Sequence, residues 1–368
     1  ETKRILVRPC SDPAHGDYQS NALMCLAKQR HMNPRQLAEE IVAKLDVSDW
    51  CEPVEIAGPG FLNFRLLTHA VNNALNAALA SESPFIIKAM KPRTVVIDFS
   101  SPNVAKPMHV GHIRSTILGD TLARVFRLLG HKVIADNHIG DWGTQFGMLL
   151  LGWKTQLDKA ALEKDPISEL ERLYKFINSD ESLRDDARAE LVKLQRGDEE
   201  NLSIWKRMAA LSQHQFDHVY GRLRIEFDRT LGESFYNSSL VEVVGELVDK
   251  NIAEESDGAM AVFFPEDKQL ADKPAIVRKR DGASNYMTTD LATLRYRISE
   301  WSPDKIIYVT DGRQQLHFQQ LFNIFHRWKP DAPARLVHIW FGSILGQDGK
   351  PFKARSGDTV RLADLLDE

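Results

Sequence analysis

Cysteine is scarce in this chain, and its three copies are dispersed. Cys10, Cys25 and Cys51 make an odd number, and none of them has the Cys-x-x-Cys spacing of a zinc site. This argues against a disulfide-stabilised scaffold and favours free thiols in a reducing compartment, for which we expect the cytoplasm.

Long apolar runs and an excess of basic residues are also missing. No stretch approaches the about 20 apolar residues that a membrane span needs. Lys and Arg number 47 against 51 Asp and Glu, a net charge of −4, so total charge neither supports nor excludes a nucleic-acid partner. A chain of 368 residues that is 43% hydrophobic and 27% charged is typical of a soluble globular protein with two or three domains.

One segment brings two histidines together at a strand-to-helix junction. Residues 94–100 form an apolar, β-branched run between two proline-containing turns, which predicts a buried strand. Apolar residues then recur every three to four positions up to Gly130, where we expect the helix to end. His109 and His112, with Gly111 between them, therefore lie at the N-terminal end of this helix.

Such a helix end suits the phosphates of a nucleotide. Free backbone N–H groups and the helix dipole favour anions there, and Gly111 leaves room for the nucleotide. Attack of a carboxylate on the α-phosphorus of ATP builds negative charge on phosphate oxygens, which His109, His112 and the cation Lys106 would stabilise. No catalytic base is needed, because a carboxylate is already a nucleophile.

Two other interpretations of the histidines stay open at this point. Two histidines three apart can bind zinc, but the sequence offers neither a third nearby histidine nor a Cys-x-x-Cys pair. His-x-Gly-His is also a weak pattern that arises by chance. Its strand-turn-helix context favours the nucleotide site.

The order of predicted elements indicates an α/β fold. A small α+β module with predicted helices at 18–30, 34–45 and 69–80 precedes a strand-helix-strand unit that begins at residue 91. A charged, helical stretch follows at 157–224, and strand-helix alternation returns at 304–341. Two such halves predict a doubly wound, Rossmann-like parallel sheet with a helical insertion.

Several ordered motifs resemble the arginyl-tRNA synthetase family of class I aminoacyl-tRNA synthetases. The strongest are Ser101-Pro-Asn-Val-Ala-Lys-Pro-Met-His-Val-Gly-His-Ile-Arg-Ser-Thr116 and Asn137-His-Ile-Gly-Asp-Trp-Gly-Thr-Gln-Phe-Gly-Met148. Shorter similar segments lie at 16–21, 58–63, 231–234 and 348–357. The resemblance therefore spans nearly the whole chain.

The resemblance implies a division into domains. Residues 1–85 would be an N-terminal α+β domain that contacts the tRNA elbow, 91–156 and 286–368 the two halves of the catalytic domain, and 157–285 a connective insertion. The family's C-terminal anticodon-binding domain has no counterpart in these residues, and both ends of the chain look like cuts. We therefore expect the 368 residues to bind ATP and arginine but to charge tRNA poorly.

The resemblance also implies an activity. The enzyme would activate L-arginine with ATP, as its Mg²⁺ complex, and pass the arginyl group to the 3′-terminal adenosine of the cognate tRNA. We expect no structural metal, no membrane association and a monomer. Alternatives are another class I synthetase, a nucleotidyltransferase with the same histidine motif, or a non-catalytic binding protein on a synthetase fold.

An arginine site needs carboxylates for a planar, permanently charged guanidinium group. By resemblance, four residues would contact the arginine side chain: Glu233, Tyr286, Asp290 and Gln314. Ser101, Asn103 and His112 would hold the backbone end of the amino acid. From the residues alone, a half-buried aromatic for Tyr286 and a helix N-cap for Asp290 are the favoured interpretations, and the resemblance reverses this preference. A one-residue shift would exchange Gln314 for Gln315.

The remaining site residues follow from the same resemblance. Lys106, Lys353 and Arg355 would contact the phosphates beside the histidines. Class I synthetases carry a Lys-Met-Ser-Lys-Ser loop there, whereas this chain has Phe352-Lys-Ala-Arg-Ser356, so charge is retained but shape is not. The alternative for Lys353 and Arg355 is solvated loop charges. Phe61 and Asn63 would touch the tRNA, although an aromatic in a strand is often a core residue.

Overall fold

The computed structural model describes residues 6–81, 86–342 and 361–368. The chain divides into two compact units, residues 1–87 and 88–368. Whether these units and their subdivisions correspond to the functional domains expected above stays a prediction.

The first unit is an antiparallel sheet with helices, in the strand order β1-β2-β4-β3. Its strands are β1 (Arg8–Pro9), β2 (Tyr18–Ser20), β3 (Glu55–Ala57) and β4 (Phe61–Phe64), and its helices are α1 (Ala22–Arg30), α2 (Pro34–Val42) and α3 (Thr68–Leu79). Leu23, Ala38 and Leu62 form its small core. Asn33 caps α2 by accepting the N–H of Arg35 at 2.9 Å, as its place before Pro34 predicts.

One predicted boundary in this unit is wrong. The helix expected from residue 18 begins only at Ala22, because Tyr18–Ser20 is a strand that pairs with Leu62–Phe64 of β4. Pairing with a distant strand overrides the local helical pattern here.

The second unit alternates strands and helices along the chain. Its first part contains β5 (Thr94–Phe99), α4 (Val110–Leu128), β6 (Lys132–Asn137), α5 (Gln145–Gln156), α6 (Lys159–Lys164), α7 (Pro166–Ser179), α8 (Arg184–Gln195), α9 (Glu199–Leu223) and β7 (Arg229–Thr230). Its second part contains α10 (Leu240–Asp249), β8 (Glu254–Ser256), β9 (Ala259–Val262), β10 (Ala275–Arg278), α11 (Tyr286–Trp301), β11 (Lys305–Asp311), α12 (Gln315–Trp328), β12 (Arg335–Phe341) and α13 (Leu362–Asp367).

A parallel sheet forms the centre of this unit. Within the described residues its order is β12-β11-β5-β6-β7, and every neighbouring pair is parallel. A small antiparallel sheet, β10-β9-β8, lies outside it. This arrangement confirms the predicted α/β, doubly wound fold.

Alternating residues of β5 face two different hydrophobic clusters. Val95, Ile97 and Phe99 belong to the cluster that includes buried residues of α4, α5, α7 and α9. Val96 belongs to the other cluster, with buried residues of α10, α11 and α12. Since side chains alternate along a strand, Asp98 points to the same face as Val96. The sheet is therefore buried on both faces, as parallel sheets require.

The crossover α4 packs closely on β5 at one glycine. A Cβ placed on Gly119 would lie 2.1 Å from the ring of Phe99, so a side chain there is incompatible with the present packing. The following strand β6 pairs with β5 on one side, and β11 pairs with it on the other. The chain thus extends the sheet from β5 first on the β6 side and later on the β11 side, and this change of direction opens a crevice at the carboxyl ends of the strands.

Candidate active site

The turn after β5 is held in an unusual backbone conformation. Ser100, Ser101 and Ala105 have φ angles of 71°, 48° and 62°. This is a left-handed region that residues other than glycine rarely adopt. The Ser101 N–H donates to Asn137 Oδ1 at 3.1 Å, and its hydroxyl donates to Asp98 Oδ1 at 3.0 Å. These bonds fix the turn against β5 and the end of β6.

Asn103 lies against the glycine-rich turn that follows β6. The N–H of Val104 donates to the Gly140 carbonyl, and the Gly140 N–H donates to the Pro102 carbonyl, both at 3.0 Å. A Cβ on Gly140 would lie 2.1 Å from Asn103 Oδ1. Glycine at this position therefore leaves the space that the Asn103 side chain occupies.

His109 and His112 cap the N-terminus of α4. The Gly111 N–H donates to His109 Nδ1 at 3.1 Å, and the His109 N–H donates to His112 Nδ1 at 3.0 Å. The two rings lie 4.0 Å apart between centroids. Because each Nδ1 accepts a backbone N–H, each neutral ring carries its proton on Nε2. The expected pairing at the helix end is present, but two N–H groups predicted to be free for phosphate already bind imidazole nitrogens.

Both rings stay neutral at physiological pH. Burial, together with the neighbouring His109, lowers the pKa of His112 to about 3. Burial and the charge of Arg313 lower the pKa of His109. The two Nε2–H groups are thus neutral donors, which suits stabilisation of negative charge without proton transfer.

The three predicted phosphate cations differ in what the structure shows. Lys106 is exposed, and its Nζ lies 5.4 Å from the centroid of the Tyr174 ring on α7. Lys353 and Arg355 lie outside the described residues. Their contact with phosphates stays a prediction.

Glu233 is a half-buried carboxyl group surrounded by like charge. Its backbone N–H donates to the Ile139 carbonyl at 3.0 Å, which joins the Leu231-Gly-Glu-Ser234 segment to the turn after β6. Burial and the charges of Asp290 and Asp141 raise the pKa of Glu233 to about 8. Among the residues the structure describes, its carboxylate has no hydrogen-bond or ion-pair partner.

Asp141 and Gly232 explain how Glu233 is held. Asp141 is buried and accepts the N–H and hydroxyl of Ser234 at 2.8 and 2.6 Å. A Cβ on Gly232 would lie 2.1 Å from Asp141 Oδ2. The glycine therefore lets this buried carboxylate approach the backbone beside Glu233.

Tyr286 and Asp290 lie one turn apart at the start of α11, as their spacing predicts. The N-cap of this helix is Asn285, which accepts the Thr288 N–H at 3.3 Å, so Asp290 is not the cap. Tyr286 is 70% exposed, so it is not a half-buried core aromatic. Both structural alternatives for this pair are therefore wrong, and its contact with arginine stays a prediction.

Asp290 has two histidine neighbours that the motif analysis did not single out. His317 Nε2 lies 2.6 Å from Asp290 Oδ2, and His138 Nε2 lies 3.9 Å from Asp290 Oδ1. His138 lies within the motif Asn137–Met148, and His317 follows Gln314 by three residues. The sequence therefore placed both histidines near the site without indicating that their partner is Asp290.

Gln314 and Gln315 lie at the junction of a short 3-10 helix, Gly312–Gln314, with α12. Gln314 is exposed, whereas Gln315 is half-buried. Which of the two contacts a substrate stays a prediction.

Below the crevice lies an ion-pair network that the sequence analysis missed. Arg297 of α11 is fully buried, and its guanidinium donates to Asp98 at 2.6 Å and to Asp136 at 2.9 Å. The only advance signal was an acidic residue in each of two apolar strands. This guanidinium belongs to the chain itself, and it links α11 with β5 and β6.

The two predicted tRNA contacts lie in the first unit. Phe61 is half-buried, and Asn63 is 3% exposed, with its Oδ1 accepting the Gln19 amide N–H at 2.7 Å. Their role stays a prediction.

The described part of the chain has neither a clustered set of metal ligands nor a membrane-spanning helix. It contains no group of three or more His, Cys, Asp and Glu side chains arranged to hold a metal ion. None of its helices has the length and apolar character needed to cross a bilayer.

Two family models together match most of the chain. The model described as tRNA synthetases class I (R), catalytic domain, matches residues 74–368. The model described as arginyl tRNA synthetase N terminal domain matches residues 1–66.

Related proteins are named arginine–tRNA ligases. The arginine–tRNA ligase of Fusobacterium nucleatum is 45% identical over 100% of this chain, and that of Thermosynechococcus vestitus is 46% identical over 99%. The chain spans 64% of the length of each of these two relatives.

Solved structures agree in fold. Arginyl-tRNA synthetase from Plasmodium falciparum is 30% identical with a TM-score of 0.74, over 93% of this chain and 61% of that one. The Thermus thermophilus arginyl-tRNA synthetase, at 23% identity, matches in fold with a TM-score of 0.79, over 99% of this chain and 66% of the other. From its motifs, its sheet and these matches, the chain belongs to the arginyl-tRNA synthetase family.

Proposed function

We propose that the chain activates L-arginine with ATP to form arginyl-adenylate, as part of an arginine–tRNA ligase that transfers the arginyl group to the 3′-terminal adenosine of its tRNA. The names of the related proteins support this activity. The observation that carries it is Glu233, a half-buried carboxyl group near the charges of Asp290 and Asp141, for which the described residues provide no ion-pair partner. Such a group is expected to bind a cation from outside the chain.

Arginine fits that requirement better than lysine would. A guanidinium group is planar and presents several N–H donors, so two carboxylates can share it. Glu233 and Asp290 provide these carboxylates, and the exposed Tyr286 lies one turn before Asp290. We propose that Gln314 adds a further contact to the side chain, and that Ser101, Asn103 and His112 hold the backbone end of arginine.

The chemistry at the other end of the site requires only positioning and charge stabilisation. An oxygen of the arginine carboxylate attacks the α-phosphorus of ATP, and the bond to pyrophosphate breaks. The neutral Nε2–H groups of His109 and His112 donate to the phosphate oxygens on which charge develops. Lys106, Lys353 and Arg355 supply positive charge, and no residue needs to act as a base.

The enzyme would also take up Mg²⁺ and tRNA, in a reducing compartment and as a single subunit. ATP would bring Mg²⁺ on its phosphates, and Phe61 and Asn63 would contact the tRNA elbow. Three free cysteines, Cys10, Cys25 and Cys51, support a reducing compartment such as the cytoplasm. We propose a monomer, which light scattering on the purified protein would test.

Pyrophosphate exchange into ATP tests the central claim. The intact protein would be assayed with each of the twenty amino acids, with and without arginine tRNA. We expect arginine to be the sole good substrate. Exchange that depends on a different amino acid would assign the chain to another synthetase or nucleotidyltransferase activity, and absence of exchange even with tRNA would favour a non-catalytic binding role.

A further inference from the structure

The carboxylate of Asp290 is held from one side by His317. Nε2 of His317, on the first turns of α12, lies 2.6 Å from Asp290 Oδ2 on α11. His138 approaches the other oxygen, Oδ1, at 3.9 Å, beyond hydrogen-bond distance. Oδ2 of Asp290 is therefore hydrogen-bonded, while Oδ1 can still accept a hydrogen bond from a ligand.

His317, whose side chain is 29% exposed, packs against a layer of aromatic and imidazole groups. Its ring meets the edge of Phe318, which in turn stacks on His338 at 4.3 Å between centroids. Nε2 of His338 hydrogen-bonds with Thr310 Oγ1 at 2.8 Å. These contacts run across α12, β12 and β11, so the position of the His317 ring is set by regular elements and not by a loop.

We propose that His317 is a positioning residue, which orients the Asp290 carboxylate so that its free oxygen receives the guanidinium group of arginine. The inference rests on the proposed function, because it assumes that Asp290 binds the arginine side chain. His317 itself touches Asp290 and not the reacting atoms. Its contribution acts through the geometry of that carboxylate.

The pair also couples arginine binding to a proton. Burial opposes a charge on His317, but its hydrogen bond to Asp290 and the carboxylate charge outweigh this, so the pKa of His317 is raised. A guanidinium that binds Asp290 removes part of that stabilisation. The fraction of His317 that carries a proton on both nitrogens therefore falls on binding, with the Nδ1 proton passing to solvent and the Nε2–H kept for Asp290.

Other titratable groups face this pair and contribute to the pH dependence. Glu233, Tyr308 and His138 surround Asp290. His338 faces His317, and burial together with the His317 charge lowers the pKa of His338 to about 4, so it stays neutral. Glu233, whose pKa is about 8, also releases a proton when a cation binds. The number of protons that His317 itself releases is therefore obtained as the difference between wild type and the His317 variants.

Calorimetry on the 368-residue chain tests the inference. L-Arginine would be titrated into wild type, His317→Ala and His317→Gln in two buffers of different ionisation enthalpy, which gives Kd and the number of protons released. His326→Ala is the matched control, since His326 is an exposed histidine on the same helix. ATP binding and the melting temperature of each variant show whether it is folded.

We expect His317→Ala to raise Kd for arginine by about tenfold or more, the size of a lost charge-assisted hydrogen bond. His317→Gln keeps an N–H donor and should recover most of the affinity, with fewer protons released than wild type. His326→Ala should match wild type, and ATP binding should be unchanged in all variants.

The positioning role of His317 and the proposed function are overturned by different results. If wild type binds arginine and a folded His317→Ala binds it equally well, the positioning role is wrong while the proposed function stands. If His317→Gln releases as many protons as wild type, the proton coupling is wrong. If wild type binds ATP but not arginine, the proposed function fails, and the inference fails with it.

Discussion

Each histidine of the predicted ATP site has two tasks within one ring. The Nδ1 atoms of His109 and His112 accept backbone N–H groups at the start of α4, and this leaves the Nε2–H groups as donors. A ring fixed in this way needs no reorientation when a phosphate arrives, which is the condition for effective charge stabilisation. Residue types alone predicted the site, whereas the tautomers follow only from the structure.

Substitution of His112 should separate these tasks. We expect His112→Ala to slow arginine-dependent pyrophosphate exchange by about 10²–10³-fold, the usual effect of removing one such donor. His112→Gln keeps an N–H donor and should lose less. Since the pKa of His112 is about 3, its titration should not shape the rate between about pH 6 and pH 8.

The exposed His214 on α9 provides the control. His214→Ala should keep the wild-type exchange rate. A wild-type rate in His112→Ala as well would reduce His112 to a helix cap.

Glu233 should lower stability in the absence of arginine. Its folded pKa of about 8 lies above the ordinary glutamate value of 4.5, so the folded state holds a proton that the unfolded state loses. Stability therefore falls as pH rises from about 4.5 to about 8 and is level above that window. Glu233→Gln removes this loss, and the variant should gain about 1–2 kcal/mol over wild type at about pH 8, since partial exposure reduces the effect.

Thermal unfolding of both proteins at about pH 5 and about pH 8 measures the difference. The same variant should bind arginine more weakly. Glu255→Gln, at an exposed position on β8, should show no such pH dependence. A Glu233→Gln advantage that does not change with pH would contradict the assignment of a raised pKa.

At the scale of elements, the contact of α4 with β5 leaves no room for a side chain at Gly119. Gly119 brings the helix so near the strand that a Cβ would lie 2.1 Å from the Phe99 ring. This close packing places the N-terminus of α4, and so both histidines, relative to the carboxyl end of β5. Phe99 is fully buried, so its ring has little space into which to move.

We expect Gly119→Ala to destabilise the fold by about 1–3 kcal/mol through overpacking. Gly221 on α9 is the matched control, because it is also helical but has nothing within 4 Å of an added Cβ. Gly221→Ala should be neutral or stabilising by up to about 1 kcal/mol, owing to the higher helix propensity of alanine. Denaturant unfolding of the two variants gives the comparison, and equal stabilities would contradict it.

Local sequence patterns predicted most elements of the second unit, because its strands and helices alternate along the chain and have clear apolar periodicity and helix caps. They failed at Tyr18–Ser20, where pairing with β4 decides the structure. They also could not show that Asn285 rather than Asp290 caps α11. The first error arises because the partner strand is distant in the sequence. The second is local, since Asn285 accepts the N–H of Thr288 three residues later, and both Asn and Asp are good N-cap residues, so residue type alone did not decide between them.

Across the molecule, Arg297 connects elements that are distant in the sequence. It is fully buried on α11 and binds Asp98 of β5 and Asp136 of β6. No sequence pattern pairs an arginine with two carboxylates more than 150 residues earlier, whereas the histidine motif was visible because its residues are adjacent in the chain. The sequence therefore predicted the phosphate end of the site better than the network beneath it.

Loss of this arginine should be costly. Arg297→Met leaves two buried carboxylates unpaired, and we expect a loss of about 3–5 kcal/mol in the free energy of unfolding. Arg280→Met breaks an exposed pair with Asp257, whose side chains are 74% and 84% exposed, and should change stability by less than about 0.5 kcal/mol. A similar small change in Arg297→Met would show that the network contributes little.

The two hydrophobic clusters on either side of the sheet have a consequence for deuterium uptake. Backbone amides of β5 are flanked by β6 and β11 and are covered on both faces, so they should exchange with D₂O only when the whole unit opens. Strands at the margins of the described sheet, β7 and β12, should take up deuterium earlier. Mass spectrometry over time would then show labelling advance from both margins toward the strand that precedes the histidines.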